Sequence, residues 1–63
     1  MHSITPIKLE IVRRGLVQAD VAQAAGISES RLSRIVNGRV QPLDFEVKNL
    51  AQALGIRKDE LPL

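Results

Sequence analysis

The chain has no cysteine, no tryptophan and no tyrosine, and only one phenylalanine and one histidine. Each scarcity removes a class of function. Without thiols there is no disulfide framework, thiolate zinc site, iron–sulfur cluster or catalytic cysteine, and the composition fits a reducing compartment. The one histidine is His2, near a chain end where side chains are expected to be mobile. It has no partners for a metal site, so neither a metal nor a cofactor is expected, and a histidine-based hydrolase is excluded. With aromatics at 2%, the stacked platforms that hold single-stranded nucleic acid cannot be assembled. Apolar runs stop at two or three residues, which predicts no membrane span and no secretory segment.

Sixty-three residues are enough for one small domain, spanning 1–63, in which about 60% of the unfolded surface can be buried. Such a chain can hardly wall off a pocket of ligand size, so composition argues against an enzyme. Hydrophobic residues at 44% and charged residues at 25% are ordinary for a globular fold. The net charge of +2 is a weak pointer to polyanions. Its distribution says more. Lys8, Arg13, Arg14, Arg31, Arg34 and Arg39 stand against Glu10, Asp20 and Glu29 in residues 1–40, whereas residues 41–63 carry Lys48, Arg57 and Lys58 against Asp44, Glu46, Asp59 and Glu60.

The pattern predicts an all-α fold of five short helices. Residues 1–4 read as a flexible lead-in. Thr5-Pro6 is a start signal, a hydroxyl N-cap before proline at the first helical position. Helix one then runs to about Arg14, with Ile7 and Ile11 on one stripe and Leu9 and Val12 widening the apolar surface. Gly15 ends it, and Arg13 and Arg14 suit its negative end. Helix two is Gln18 to Ala25, burying Val21, Ala22 and Ala25, and Gly26 stops it. Ser28 caps helix three, which buries Leu32, Ile35 and Val36 at i, i+3 and i+4 before Asn37-Gly38. Asp44 is expected to cap helix four, with Val47, Leu50, Ala51 and Leu54 inward. Ile56 to Leu61 forms a last short turn closed by Pro62.

The informative stretch is residues 18–37, QADVAQAAGISESRLSRIVN. Two short helices joined by Gly26-Ile27-Ser28 must cross steeply. Ala22 is small where they approach, Gly26 takes a positive φ, and Ile27 plugs the wedge. At 100° per residue, Ser30, Ser33, Arg34 and Asn37 fall opposite Leu32, Ile35 and Val36, with Arg31 on a flank and Glu29 near the N-terminal end. Short hydroxyls, an amide and guanidinium forks suit base edges in a major groove. A helix face meant only for water more often carries Glu/Lys pairs at i, i+4.

These residues resemble the helix-turn-helix of the lambda-repressor-like, Cro/CI-type (XRE) family. Gly15-Leu16-Val17-Gln18 resembles its G-L-T-Q opening, and Gly26-Ile27-Ser28-x-Ser30 its G-I-S-x-S turn. Ser33-Arg34-Ile35, Asn37-Gly38 and Pro42 resemble its S-R-I-x-N-G…P exit. Leu50-Ala51-Gln52-Ala53-Leu54-Gly55-Ile56 resembles its L-A-x-A-L-G-V ending, and Asp59-Glu60-Leu61 fits the tail. The resemblance covers roughly residues 7–61. It implies a compact five-helix DNA-binding domain, a transcriptional regulator of repressor type, cytoplasmic and nucleoid-associated, whose partner is double-stranded DNA. It further implies that Gln18 reaches a phosphate, that Ser28 and Glu29 approach phosphate or bases, and that Ser30, Ser33 and Arg34 face the groove. Asn37, Arg39 and nearby backbone N–H groups would grip the backbone.

Three departures from the family pattern matter. Val17 stands where Thr or Ser is favoured, with Asp20 placed to compensate by reaching back to backbone N–H groups. Ile11 and Val36 stand where many relatives pair Arg with Glu, so an apolar contact is expected instead. Glu29 stands where a neutral polar residue is common; an acid there lowers affinity unless it accepts from cytosine N4. One such domain reads few base pairs, so a weak homodimer on a palindrome is expected. A protein-interaction module, such as an antitoxin or adaptor binding a protein partner, is the alternative reading.

Overall fold

The computed structural model describes residues 5–62. The expected flexible lead-in at residues 1–4, with His2, and Leu63 at the other end lie outside the described residues. Four α-helices follow in order: α1 Pro6–Arg13, α2 Gln18–Ala25, α3 Glu29–Val36 and α4 Asp44–Leu54. The described residues contain no strand. In place of a fifth α-helix stands one 3-10 turn, Lys58–Glu60. Between Gly55 and Pro62 the chain is too short for an α-helical ladder, and the residue before proline is driven to extended backbone, as Leu61 is at φ −68°, ψ 118°.

Capping follows the sequence at two starts and departs from it at two. Thr5 accepts from the Lys8 N–H at 3.3 Å, and its hydroxyl donates to the Val36 carbonyl, tying the start of α1 to the end of α3. Ser28 accepts from the Arg31 N–H at 3.0 Å. Val17 caps α2 with no side-chain bond, and Asp20, expected to compensate, stands in the first turn without a cap bond among the described residues. At α4 the N-cap is Leu43 rather than Asp44; leucine has no acceptor, so Glu46 reaches back to the Leu43 N–H at 2.8 Å. That is the acidic half of a capping box.

One core joins Ile7 and Ile11 of α1, Val21, Ala22 and Ala25 of α2, Leu32, Ile35 and Val36 of α3, Leu50 and Leu54 of α4, and Leu61. Ile11 and Val36 lie in this one apolar cluster, as expected of the positions that replace an ion pair. Leu9 and Val12 do not widen it. They point away from the buried stripe, at about 100° per residue, and remain exposed. Arg14 also differs from expectation. Its Nη1 donates to the Leu54 carbonyl at 2.9 Å, so it closes the end of α4 rather than that of its own helix, while its Nε donates to Glu10 at 3.0 Å.

The turn that sets α3 against α2 depends on Gly26, at φ +72°. In this left-handed conformation, the Gly26 N–H bonds to the Gln23 carbonyl at 3.1 Å and the Ile27 N–H to that of Ala22 at 3.0 Å, which satisfies the last carbonyls of α2. Ile27 then packs against the core. Asn49 of α4 donates its side-chain amide to the Ala25 carbonyl at 3.1 Å, fixing the same helix end from the other side.

Candidate nucleic-acid interface

With Leu32, Ile35 and Val36 locked in the core, the helical period turns the opposite face of α3 to solvent. Glu29, Ser30, Ser33 and Arg34 line one open hollow there, and Arg39 completes its wall from the following loop. Gly38, at φ +73°, makes that placement. The chain doubles back so that the Arg39 N–H bonds to the Arg34 carbonyl at 2.8 Å, and both residues border the same space. The lining is therefore two cationic forks, one carboxylate and two hydroxyls. Among the described residues, none of the three charged groups has an ion-pair partner, although Arg14, Arg13, Arg31 and Arg57 all do.

The remaining expected site residues are placed around that hollow or away from it. Asn37 is exposed at the end of α3 and donates to the Ser33 hydroxyl at 3.4 Å, extending the polar row by one turn. Ser28 is exposed but has turned its hydroxyl to its own helix. Gln18, half-buried, is the first residue of α2 and lies outside the hollow; it is placed at the positive end of that helix dipole, where anions are favoured. Arg31 is held apart from the others. Its Nε and Nη2 donate to the two carboxylate oxygens of Glu46 at 2.9 and 2.8 Å.

This bidentate pair joins the flank of α3 to the N-terminus of α4. Glu46 is buried, and the Arg31 hydrogen bonds hold its carboxyl below the usual carboxylate range, helped by the Leu43 N–H and opposed by burial. Its two oxygens are thus shared between a cap and a fork. Neither Glu46 nor Asn49 is evident as a supporting residue in the sequence. The available signal for Glu46 was its place three residues after the α4 N-cap, where an acid commonly reaches back; nothing local predicts its pairing with a residue 15 positions earlier.

The geometry has counterparts among known proteins. The helix-turn-helix family's sequence profile matches residues 7–61. Among solved structures, the restriction-modification controller protein C.AhdI from Aeromonas hydrophila superposes with a TM-score of 0.83 at 25% identity, over 87% of this chain and 83% of that one. No curated protein matches.

Proposed function

The chain belongs to the Cro/CI-type helix-turn-helix family, and from that premise we propose that it is a sequence-specific double-stranded DNA-binding transcription regulator of repressor type. The observation that carries this reading is the hollow on α3. Among the described residues its arginines have no carboxylate partner, while the arginines elsewhere are paired. Placed in a major groove, Arg34 is a bidentate donor to guanine O6 and N7, and Ser30 and Ser33 are permissive hydrogen-bonding neighbours. Gln18, Ser28, Asn37 and Arg39 hold the phosphate backbone, which fixes register without reading sequence. Arg31 contributes through Glu46, setting the position of α3, and reaches DNA only from its flank. The likeness to a restriction-modification controller protein favours a regulator over other uses of the fold.

Two copies on a palindrome complete the reading, because one α3 covers few base pairs. Selection of bound duplexes from a random pool, followed by sequencing, tests it. A two-fold symmetric motif bound with a steep salt dependence is the expected result. Absence of any enriched duplex would overturn the assignment.

A second reading, a module that binds a protein partner, draws on the apolar side chains Leu9, Val12 and Phe45 left exposed. A stoichiometric complex that survives when duplex binding is absent would favour it.

A further inference from the structure

Glu29 is the one feature of the hollow that works against a simple phosphate-binding surface. It is the first residue of α3, exposed, and borders the same space as Arg34 and Arg39 without pairing with either. Ser28 takes the N–H offered by Arg31 and a first-turn acid suits the positive end of the α3 dipole, but neither requires that acid to stand beside the arginines of the hollow. An ionised carboxylate only accepts hydrogen bonds, so against a phosphate it is repelled. Residues at the N-terminal end of a recognition helix are among those that meet base edges. The major groove presents two donors, the cytosine N4 and adenine N6 amino groups. Adenine sets its N7 acceptor beside N6, which faces a carboxylate with a second repelling acceptor. Cytosine has no major-groove acceptor of its own beside its amino group.

Resting on the DNA-binding reading above, we infer that Glu29 is a specificity-determining residue that accepts from the N4 amino group of a cytosine in each half-site, beside the guanine read by Arg34. The two residues are five apart, about 7.5 Å along the helix. The two base pairs therefore lie within about three steps of each other, at 3.4 Å per step. The acid also weakens attachment to non-cognate DNA, where no amino group meets it and phosphates surround it. Its role is thus discrimination at the expense of total affinity.

Random-pool selections at one fixed salt concentration, with the wild-type chain, Glu29→Gln and Glu29→Ala, test this. Glu29 is exposed, so the variants fold, and matching thermal melts check it. The wild type is expected to enrich a C·G pair at one position. Glu29→Gln moves that position toward adenine, whose N6 and N7 suit a glutamine amide, and leaves the guanine position unchanged. Glu29→Ala loses the preference by roughly tenfold and gains affinity for random duplex. Identical motifs from all three chains, or a uniform rise in affinity on every sequence, would overturn the role of Glu29 and leave the DNA-binding reading standing. A wild-type chain that enriches no duplex would overturn both.

Discussion

At the scale of single residues, two arginines three positions apart on α3 have opposite fates. Arg31 closes a fork on Glu46, and Arg34 stays open to the hollow. Arg34→Ala is therefore expected to weaken specific binding by roughly 1–3 kcal/mol and to relax the preference at one base pair; titration of matched and mismatched duplexes at fixed salt checks it, and unchanged affinity and motif would remove Arg34 from the readout. The Arg31–Glu46 pair predicts a pH dependence of stability instead. The Glu46 carboxyl is depressed in the folded chain, against an unfolded value of about 4.3. Its contribution is fully present above that value and is lost as pH falls through the lower folded one. Glu46→Gln should melt below the wild type at neutral pH, with the gap closing in acid. Thermal melts across that range check it; a gap that is constant with pH would show that the pair contributes nothing as a charge. The sequence made the outward position of Arg34 legible, because helical period alone sets it. It left Arg31 on an ambiguous flank, because its partner enters from another helix and no local pattern encodes that approach.

At the scale of elements, what could be read from sequence was whatever is decided within a few residues. Ser28 and Gly26 bound α2 and α3 as expected because caps and left-handed turns are local. The α4 start was misplaced by one residue, since Asp44 suits an N-cap or a first turn, and the acid that bonds back is Glu46, three residues after Leu43. The outward turn of Leu9 and Val12 depends on which stripe of α1 the other helices cover, and an eight-residue helix buries only one. Helix α2 remains the least well capped. Val17 has the extended backbone of an N-cap, φ −102° and ψ 136°, with a side chain 60% exposed and no acceptor to offer. Val17→Thr supplies the missing hydroxyl without removing core packing, so it should stabilise the fold by about 1 kcal/mol. Denaturant melts would show a higher midpoint at unchanged slope. A neutral or lower midpoint would mean that the free N–H groups of α2 are already satisfied by water at no penalty.

At the scale of the molecule, size constrains assembly. The body measures 31 × 21 × 21 Å. Two recognition helices on one face of DNA sit about 34 Å apart, one helical turn, which is slightly more than the longest extent of a single copy. Two copies placed at that spacing are expected to meet only at their edges. Among the exposed apolar side chains, Leu43 and Phe45 stand together at the start of α4, whereas Leu61 near the end of the described chain is taken into the core. A contact made from these two side chains alone is expected not to hold a dimer in dilute solution, since small interfaces do not offset the entropy lost on association. If two copies bind one duplex, the second arrives at high effective concentration, where the same edge is expected to suffice. Sedimentation is therefore expected to show a monomer, or a monomer–dimer mixture, without DNA and two chains per operator duplex with it. Phe45→Ala should reduce the cooperativity of the second binding step while leaving the affinity for an isolated half-site unchanged. A stable dimer at nanomolar concentration would show that the edge is larger than Leu43 and Phe45 provide. Strictly one-to-one binding to an asymmetric site would remove the dimer and leave the single α3 to account for all the specificity, more than one helix can supply from half a turn of groove.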